Sequence, residues 1–128
     1  MTQGKAVLLI DDNADARNVV GLMLEELGYR VTACEDVAAA VAHLTAGTPC
    51  DIVVTDLMMP ETSGLELSNL VKRWRPRTPV VLITGHHEAT QSAFDNGLVP
   101  LLKPFTLDQL AAVLKDALVV TRLADKRT

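Results

Sequence analysis

Five times along this chain a short apolar run gives way to a stretch with helical spacing, and that alternation constrains the fold more than any single residue does. The first run, Ala6–Ile10 (AVLLI), is too short for a helix and unbroken by polar residues, which suits a strand buried on both faces. Behind it, Ala16, Val20, Met23 and Leu27 recur at helical intervals, and Gly28 is placed to stop that helix in the left-handed conformation. Residues 30–33 predict the second strand, and Asp36 an N-cap for a helix that carries Val37, Ala40, Val41 and Leu44 and closes at Gly47. Residues 52–55 predict the third strand. Leu67, Leu70, Val71 and Trp74 share one face of the helix behind it, which Pro76 stops; this spacing predicts a partly buried Trp74.

Residues 80–83 and 98–102 complete the set of strands, and the last helix begins at Thr106. There Thr106-Leu107-Asp108-Gln109 has capping-box spacing, and Leu107, Leu110, Ala111, Leu114 and Leu118 supply the buried stripe. Between the fourth and fifth runs, residues 88–96 (EATQSAFDN) offer only Ala89, Ala93 and Phe94 as apolar material. A helix there buries little and is expected to be the least anchored element. Units of this kind imply an α/β fold, with a parallel sheet, helices on both faces and right-handed crossovers. A chain of 128 residues, 48% hydrophobic, suits one domain, expected over 1–120, with the polar residues 121–128 (TRLADKRT) as a flexible tail or linker stub. Aromatic residues make up only 3%, so Val, Leu, Ile, Ala and Met must fill the core.

Charge narrows the function. Twelve basic residues against 16 acidic ones, a net charge of −4, give no electrostatic footprint for direct nucleic-acid binding. No apolar run approaches bilayer length, and residues 1–15 lack a basic start followed by a long apolar stretch, so we expect no membrane association and a cytoplasmic location. Cys34 and Cys50 form neither a CxxC pair nor a dense framework and are expected to be reduced thiols.

The informative polar residues all stand at the carboxyl ends of strands, where open parallel sheets leave a binding crevice. Asp11 and Asp12 follow the first strand, Asp56 the third, Thr84 and Gly85 the fourth, and Lys103-Pro104 the fifth. If strands one and three are neighbours, three carboxylates meet. Each pair about 4 Å apart repels by roughly 1 kcal/mol in water and by about 4 kcal/mol where the effective dielectric is near 20. Turn-capping aspartates have no need of such crowding. Hard oxygen donors of this kind favour Mg²⁺, which keeps several waters, takes one or two carboxylates and bridges readily to a phosphoryl oxygen. With Lys103 and the metal offsetting incoming charge, Asp56 is suited to attack phosphorus as a carboxylate nucleophile.

The segments VLLIDDNADAR, VVTDLMMPETSGLEL, VVLITG and LLKPFTLDQL, in that order and at those separations, resemble the receiver domain of two-component response regulators over about residues 5–120. The resemblance implies a flavodoxin-like (βα)5 three-layer sandwich with strand order 2-1-3-4-5, an order for which a receiver is a standard example. It implies that Asp56 accepts phosphate from the phosphohistidine of a histidine kinase. Asp12, Asp56 and the backbone carbonyl of Met58 would ligate Mg²⁺, with Asp11 acting mainly through bound water. Thr84 would hydrogen-bond the phosphoryl group, Lys103 would pair with it, and the Lys103–Pro104 peptide would be cis. The chemistry is then self-phosphorylation and autodephosphorylation, without a separate substrate. In this family the surface made by the fourth helix (here 88–96), the fifth strand and the last helix carries the change to a downstream protein or a linked output or kinase domain, and homodimers are open to it.

Two departures from the family pattern limit the carry-over. Pro100 stands three residues before Lys103, where many receivers place an inward-turning Tyr or Phe, so that ring signal cannot operate. Proline also lacks an amide donor, which an edge strand tolerates. Met58 and His86, two residues after Asp56 and Thr84, occupy places that in the family tune water access and phosphate lifetime. Other readings fare worse. An EF-hand loop from Asp11 fails because Ala16 and Leu22 stand where Gly and Glu are required. His86-His87 lacks partners for zinc, and His43 fits a helix surface. A Mg²⁺ phosphatase lacks a DxDxT or DxDxV motif after the first strand, and the acidic loop 11–16 opposes a flavin phosphate. A receiver-shaped interaction module that works without phosphate is the remaining alternative.

Overall fold

The computed structural model describes residues 4–56, 64–85 and 98–127, and side-chain surroundings only outside 64–68 and 120–127. Five parallel strands form one sheet in the order β2-β1-β3-β4-β5: β1 (Ala6–Ile10), β2 (Arg30–Cys34), β3 (Ile52–Asp56), β4 (Val80–Thr84) and β5 (Val99–Leu102). The helices among these residues are α1 (Ala14–Glu26), α2 (Val37–Thr45), α3 (Gly64–Trp74) and α4 (Leu107–Arg127). The strand order and the (βα) alternation agree with the sequence expectation. The expected helix over 88–96 lies outside the described residues, as do Met58, His86 and His87.

Two-residue periodicity in the strands divides the core. Val7 and Leu9 of β1 point to one side, together with Val54, Val81 and Ile83, and pack with Val20 and Leu24 of α1 and Leu110, Leu114 and Ala117 of α4. Leu8 and Ile10 point to the other side, with Val53 and Leu82, against Ala40 and Leu44 of α2 and Val71 of α3. All five residues of β1 are buried, as an unbroken apolar run requires. Leu110 and Leu114 are fully enclosed, and each side chain of this size stabilises the fold by about 1.5–3 kcal/mol relative to exposure.

The expected caps are in place. Asp36 accepts a hydrogen bond from the Ala39 amide at 2.8 Å. Gly28 and Gly47 adopt φ of +95° and +81°. After α1 the Gly28 amide donates to Glu25 O and Tyr29 to Leu24 O; after α2 Gly47 donates to Leu44 O and Thr48 to His43 O, the paired bonds of a Schellman ending. Thr106 and Gln109 cap α4 reciprocally: Thr106 N donates to Gln109 Oε1 at 2.8 Å, and Gln109 N to Thr106 Oγ1 at 3.1 Å.

Three details differ from the sequence reading or refine it, and a fourth agrees with it. The helical backbone of α4 continues to Arg127, past the residue at which a tail was expected; no Gly or Pro follows Leu107 to interrupt it. Trp74 leaves 49% of its surface in solvent, more than its spacing to Leu70 and Val71 suggested. His43 is half-buried and its Nδ1 lies 3.2 Å from Thr48 Oγ1, at the loop that leaves α2. Pro100 sits on β5, an edge strand of the sheet, where its missing amide is tolerated.

Candidate functional site

Register brings the strand ends together. Ile10 pairs with Thr55, so Asp11 and Asp56 are the next residues along neighbouring strands. Asp56 pairs with Ile83 and Thr84 with Leu102, which puts Thr84 one step beyond Asp56's partner. The Lys103 amide then donates to Thr84 O at 2.7 Å, continuing the ladder past the last pair of β5. The Lys103–Pro104 peptide is cis.

Lys103 Nζ lies 3.2 Å from Asp56 Oδ2, an ion pair that joins residues 47 apart in the chain. The lysine side chain is 42% exposed and the aspartate 16%, so the carboxylate is the more enclosed partner and still borders solvent. Thr84 is buried at the adjoining strand end. Asp11 is buried as well, whereas Asp12 is exposed at the mouth of the same loop.

Asp11 is held on three sides. Its amide donates to Cys34 O at 3.1 Å, its carbonyl accepts from Arg17 Nη1 at 2.8 Å, and its Oδ1 accepts from the Asn13 amide at 3.0 Å. Burial lifts the Asp11 carboxyl above its usual range; the Asn13 amide pulls it down, Asp56 raises it, Lys103 lowers it, and Asp12 raises it again. Asp11 therefore feels the charges of both Asp56 and Asp12. Among the described residues, however, no group of three Asp, Glu, His or Cys side chains is gathered to hold a metal. A fit to Mg²⁺ accordingly rests on few carboxylates completed by main-chain oxygen and water, which is that ion's ordinary preference.

Two contributors to the site escaped the sequence reading. Asn13 is the N-cap of α1, its Oδ1 accepting from the Ala16 amide at 2.9 Å, and it also turns its own amide onto Asp11. An Asn directly before a helical pattern is a cap signal in its own right. Arg17 reaches back from the first turn of α1 to the tip of β1, and no local pattern announces that contact.

Comparison with known proteins decides the family. The model of the response regulator receiver domain matches residues 7–115. The chain belongs to the response regulator receiver domain family. Phosphorylation and Mg²⁺ are typical of that family, whose members are regulatory phosphoacceptor modules. Among curated relatives, the chain is 33% identical over 122 residues to the nitrogen assimilation regulatory protein NtrX of Azorhizobium caulinodans, covering 91% of this chain and 27% of that protein. It is 32% identical over 121 residues to the transcriptional regulatory protein FixJ of Bradyrhizobium diazoefficiens, covering 92% of this chain and 58% of the relative. The chain thus spans about a quarter of the NtrX relative's length. Among solved structures, NtrX from Brucella abortus in complex with ATP superposes with a TM-score of 0.86 at 29% identity, covering 97% of this chain and 29% of that one. A receiver domain protein from Clostridium thermocellum superposes with a TM-score of 0.85 at 26% identity, covering 94% and 98%. No described helix is long and apolar enough to cross a membrane.

Proposed function

We propose that Asp56 is the phosphoryl acceptor of this receiver domain and that Asp11, Asp12, Thr84 and Lys103 serve it. The observation that carries the reading is the 3.2 Å contact between Lys103 Nζ and Asp56 Oδ2, formed beside a buried carboxyl that both groups influence. A carboxylate oxygen of Asp56 forms the new O–P bond as the donor's N–P bond breaks, and the donor histidine ring leaves. Lys103 would offset charge on the incoming phosphoryl group, and the hydroxyl of Thr84, a residue at the adjoining strand end, would donate to it. Asp12, Asp56 and the Met58 carbonyl would hold Mg²⁺, with Asp11 acting through water. When bound, the ion would supply positive charge that relieves the repulsion among the aspartates and offsets the charge of an incoming phosphoryl group.

The donor in this reading is a histidine kinase. The readout is the surface built on residues 88–96, β5 and α4, presented to a downstream protein, a linked output or kinase domain, or a second copy. The receiver unit is residues 1–120, with 121–128, whose backbone continues α4 as far as Arg127, as a tail or linker, and it works in the cytoplasm. Turnover is limited to its own phosphorylation and dephosphorylation.

The test is labelling of the intact chain by acetyl phosphate with and without Mg²⁺, read as an added phosphoryl mass. The expected result is Mg²⁺-dependent labelling that disappears in Asp56→Asn. Equal labelling of the variant would overturn the assignment, and partner binding indifferent to Asp56 would favour a module that works without phosphate.

A further inference from the structure

Arg17 is the one cation in the loop and helical turn that follow β1, a stretch otherwise lined with Asp11, Asp12 and Asp15. Its backbone belongs to the first turn of α1, where its amide donates to Asn13 O at 2.9 Å. Its guanidinium does not extend to solvent but folds back, half-buried, onto the carbonyl of Asp11 at 2.8 Å. That carbonyl belongs to the peptide linking Asp11 to Asp12. Fixing it sets the plane of that peptide, which carries the N and Cα of the exposed Asp12 and so places the root of its side chain.

The other polar groups of Asp11 have different partners, its amide on Cys34 O and its Oδ1 on the Asn13 amide. Arg17 is therefore the described side chain that orients the Asp11–Asp12 peptide, and it does so with a charge-assisted bond. Among the described residues that carbonyl makes no sheet-ladder bond, because β1 has ended at Ile10 and its register with β3 stops at Ile10 and Thr55.

We propose that Arg17 is a positioning residue for Mg²⁺: it aims Asp12, and holds Asp11 behind it, before the ion arrives. The inference rests on the phosphoacceptor reading above. It asks of Arg17 what groups behind metal ligands commonly do, since loss of such a partner typically costs 10–100-fold in metal affinity.

The experiment is a calorimetric Mg²⁺ titration of the intact chain, paired with acetyl phosphate labelling across Mg²⁺ concentrations, for the wild type, Arg17→Gln and Arg30→Gln. Arg30 is the control because its Nε also donates to a backbone carbonyl, Gly4 O at 2.9 Å, at the opposite end of the sheet. In Arg17→Gln the Mg²⁺ dissociation constant should rise about tenfold. The half-saturating Mg²⁺ for labelling should rise by the same factor, while the labelling rate at saturating Mg²⁺ stays within about twofold, a split that general loosening of the fold would not produce. Arg30→Gln should match the wild type in both.

Unchanged Mg²⁺ affinity in a folded Arg17→Gln, or an equal loss in Arg30→Gln, would overturn the role of Arg17 and leave the phosphoacceptor reading intact. A wild type that neither binds Mg²⁺ nor labels would remove both. Should Arg17→Gln fail to fold, Arg17→Lys serves instead. It keeps the charge but loses the planar fork, and an affinity indistinguishable from wild type would count against the proposal.

Discussion

The two ends of the sheet use charge differently. At the amino ends of the strands, charged side chains are matched to the main chain. Asp51 Oδ2 accepts from the Ala6 amide at 2.7 Å, Arg30 Nε donates to Gly4 O at 2.9 Å, and Arg75 Nη2 donates to Leu44 O and Thr48 O at 3.3 and 3.0 Å. These bonds tie β3 to β1, β2 to the amino-terminal residues, and the end of α3 to the end of α2. At the carboxyl ends the charges face one another: Lys103 meets Asp56, and Asp11 responds to Asp56, Lys103 and Asp12. The first arrangement stabilises the fold and leaves little to react. The second keeps like charges close, at a cost to the resting fold that a cation or a phosphoryl group can change. A charged cluster left in mutual tension is where chemistry is expected; one discharged onto backbone amides and carbonyls is architecture.

Mutating one aspartate from each end gives the largest contrast. Asp56→Asn should abolish phosphoryl labelling while shifting stability by no more than about 0.5 kcal/mol, as expected of a bordering rather than an enclosed ion pair. Asp51→Ala should do the reverse, lowering unfolding stability by about 1–3 kcal/mol through the stranded Ala6 amide while labelling persists. Urea titrations run beside the labelling assay read both. If both variants lost stability alike and both still labelled, the distinction between the two ends would fail.

A smaller effect comes from Asp11. Because burial, and after it the neighbouring carboxylates, raise its pKa in the folded state, the folded protein binds more protons than the unfolded chain over the window between the usual carboxylate range and the raised value. Its contribution to stability therefore falls as pH rises through that window and stays unfavourable above it. Asp11→Asn keeps an acceptor for the Asn13 amide and removes the charge. It should raise the urea midpoint at pH 7, and the gain should shrink as the pH is lowered into the carboxylate range. A variant less stable than wild type at pH 7 would count against crowding at this end.

The smallest expected change is at Cys34, which closes β2 beside the site loop. Burial pushes its thiol up to about 11, with Asp36 adding to the rise, so almost none is thiolate at neutral pH. Alkylation at pH 7.5 should leave Cys34 unmodified in the folded chain and modify it fully in urea, by peptide mapping. Rapid labelling of native Cys34 would mean that the end of β2 opens more readily than its packing implies.

Much of this was legible in one dimension, for identifiable reasons. Strand ends are marked by where an apolar run stops, so Asp11, Asp56, Thr84 and Lys103 could be placed at one edge before any contact was known. The caps at Asp36 and Thr106 and the left-handed glycines at 28 and 47 depend on residues within a few positions of one another. What escaped were contacts across long sequence distances. Asp51 reaches a residue 45 positions away and Arg75 one 31 away, and nothing in the periodicity around either predicts its target. Arg17 is near in sequence, yet its use depends on the fold of a loop rather than on helical spacing. The continuation of α4 to Arg127 was missed because polarity was taken as a stop, whereas helices end on Gly, Pro or a lost partner.

The most direct test of the account is calorimetric titration of Mg²⁺ into the wild type, Asp12→Asn and Asp56→Asn under identical salt and pH. We expect one saturable site in the wild type and loss of that site in both variants. Saturable binding of equal affinity in all three proteins, or none in a folded wild type, would contradict the claim that the carboxyl ends of these strands are built to share a cation.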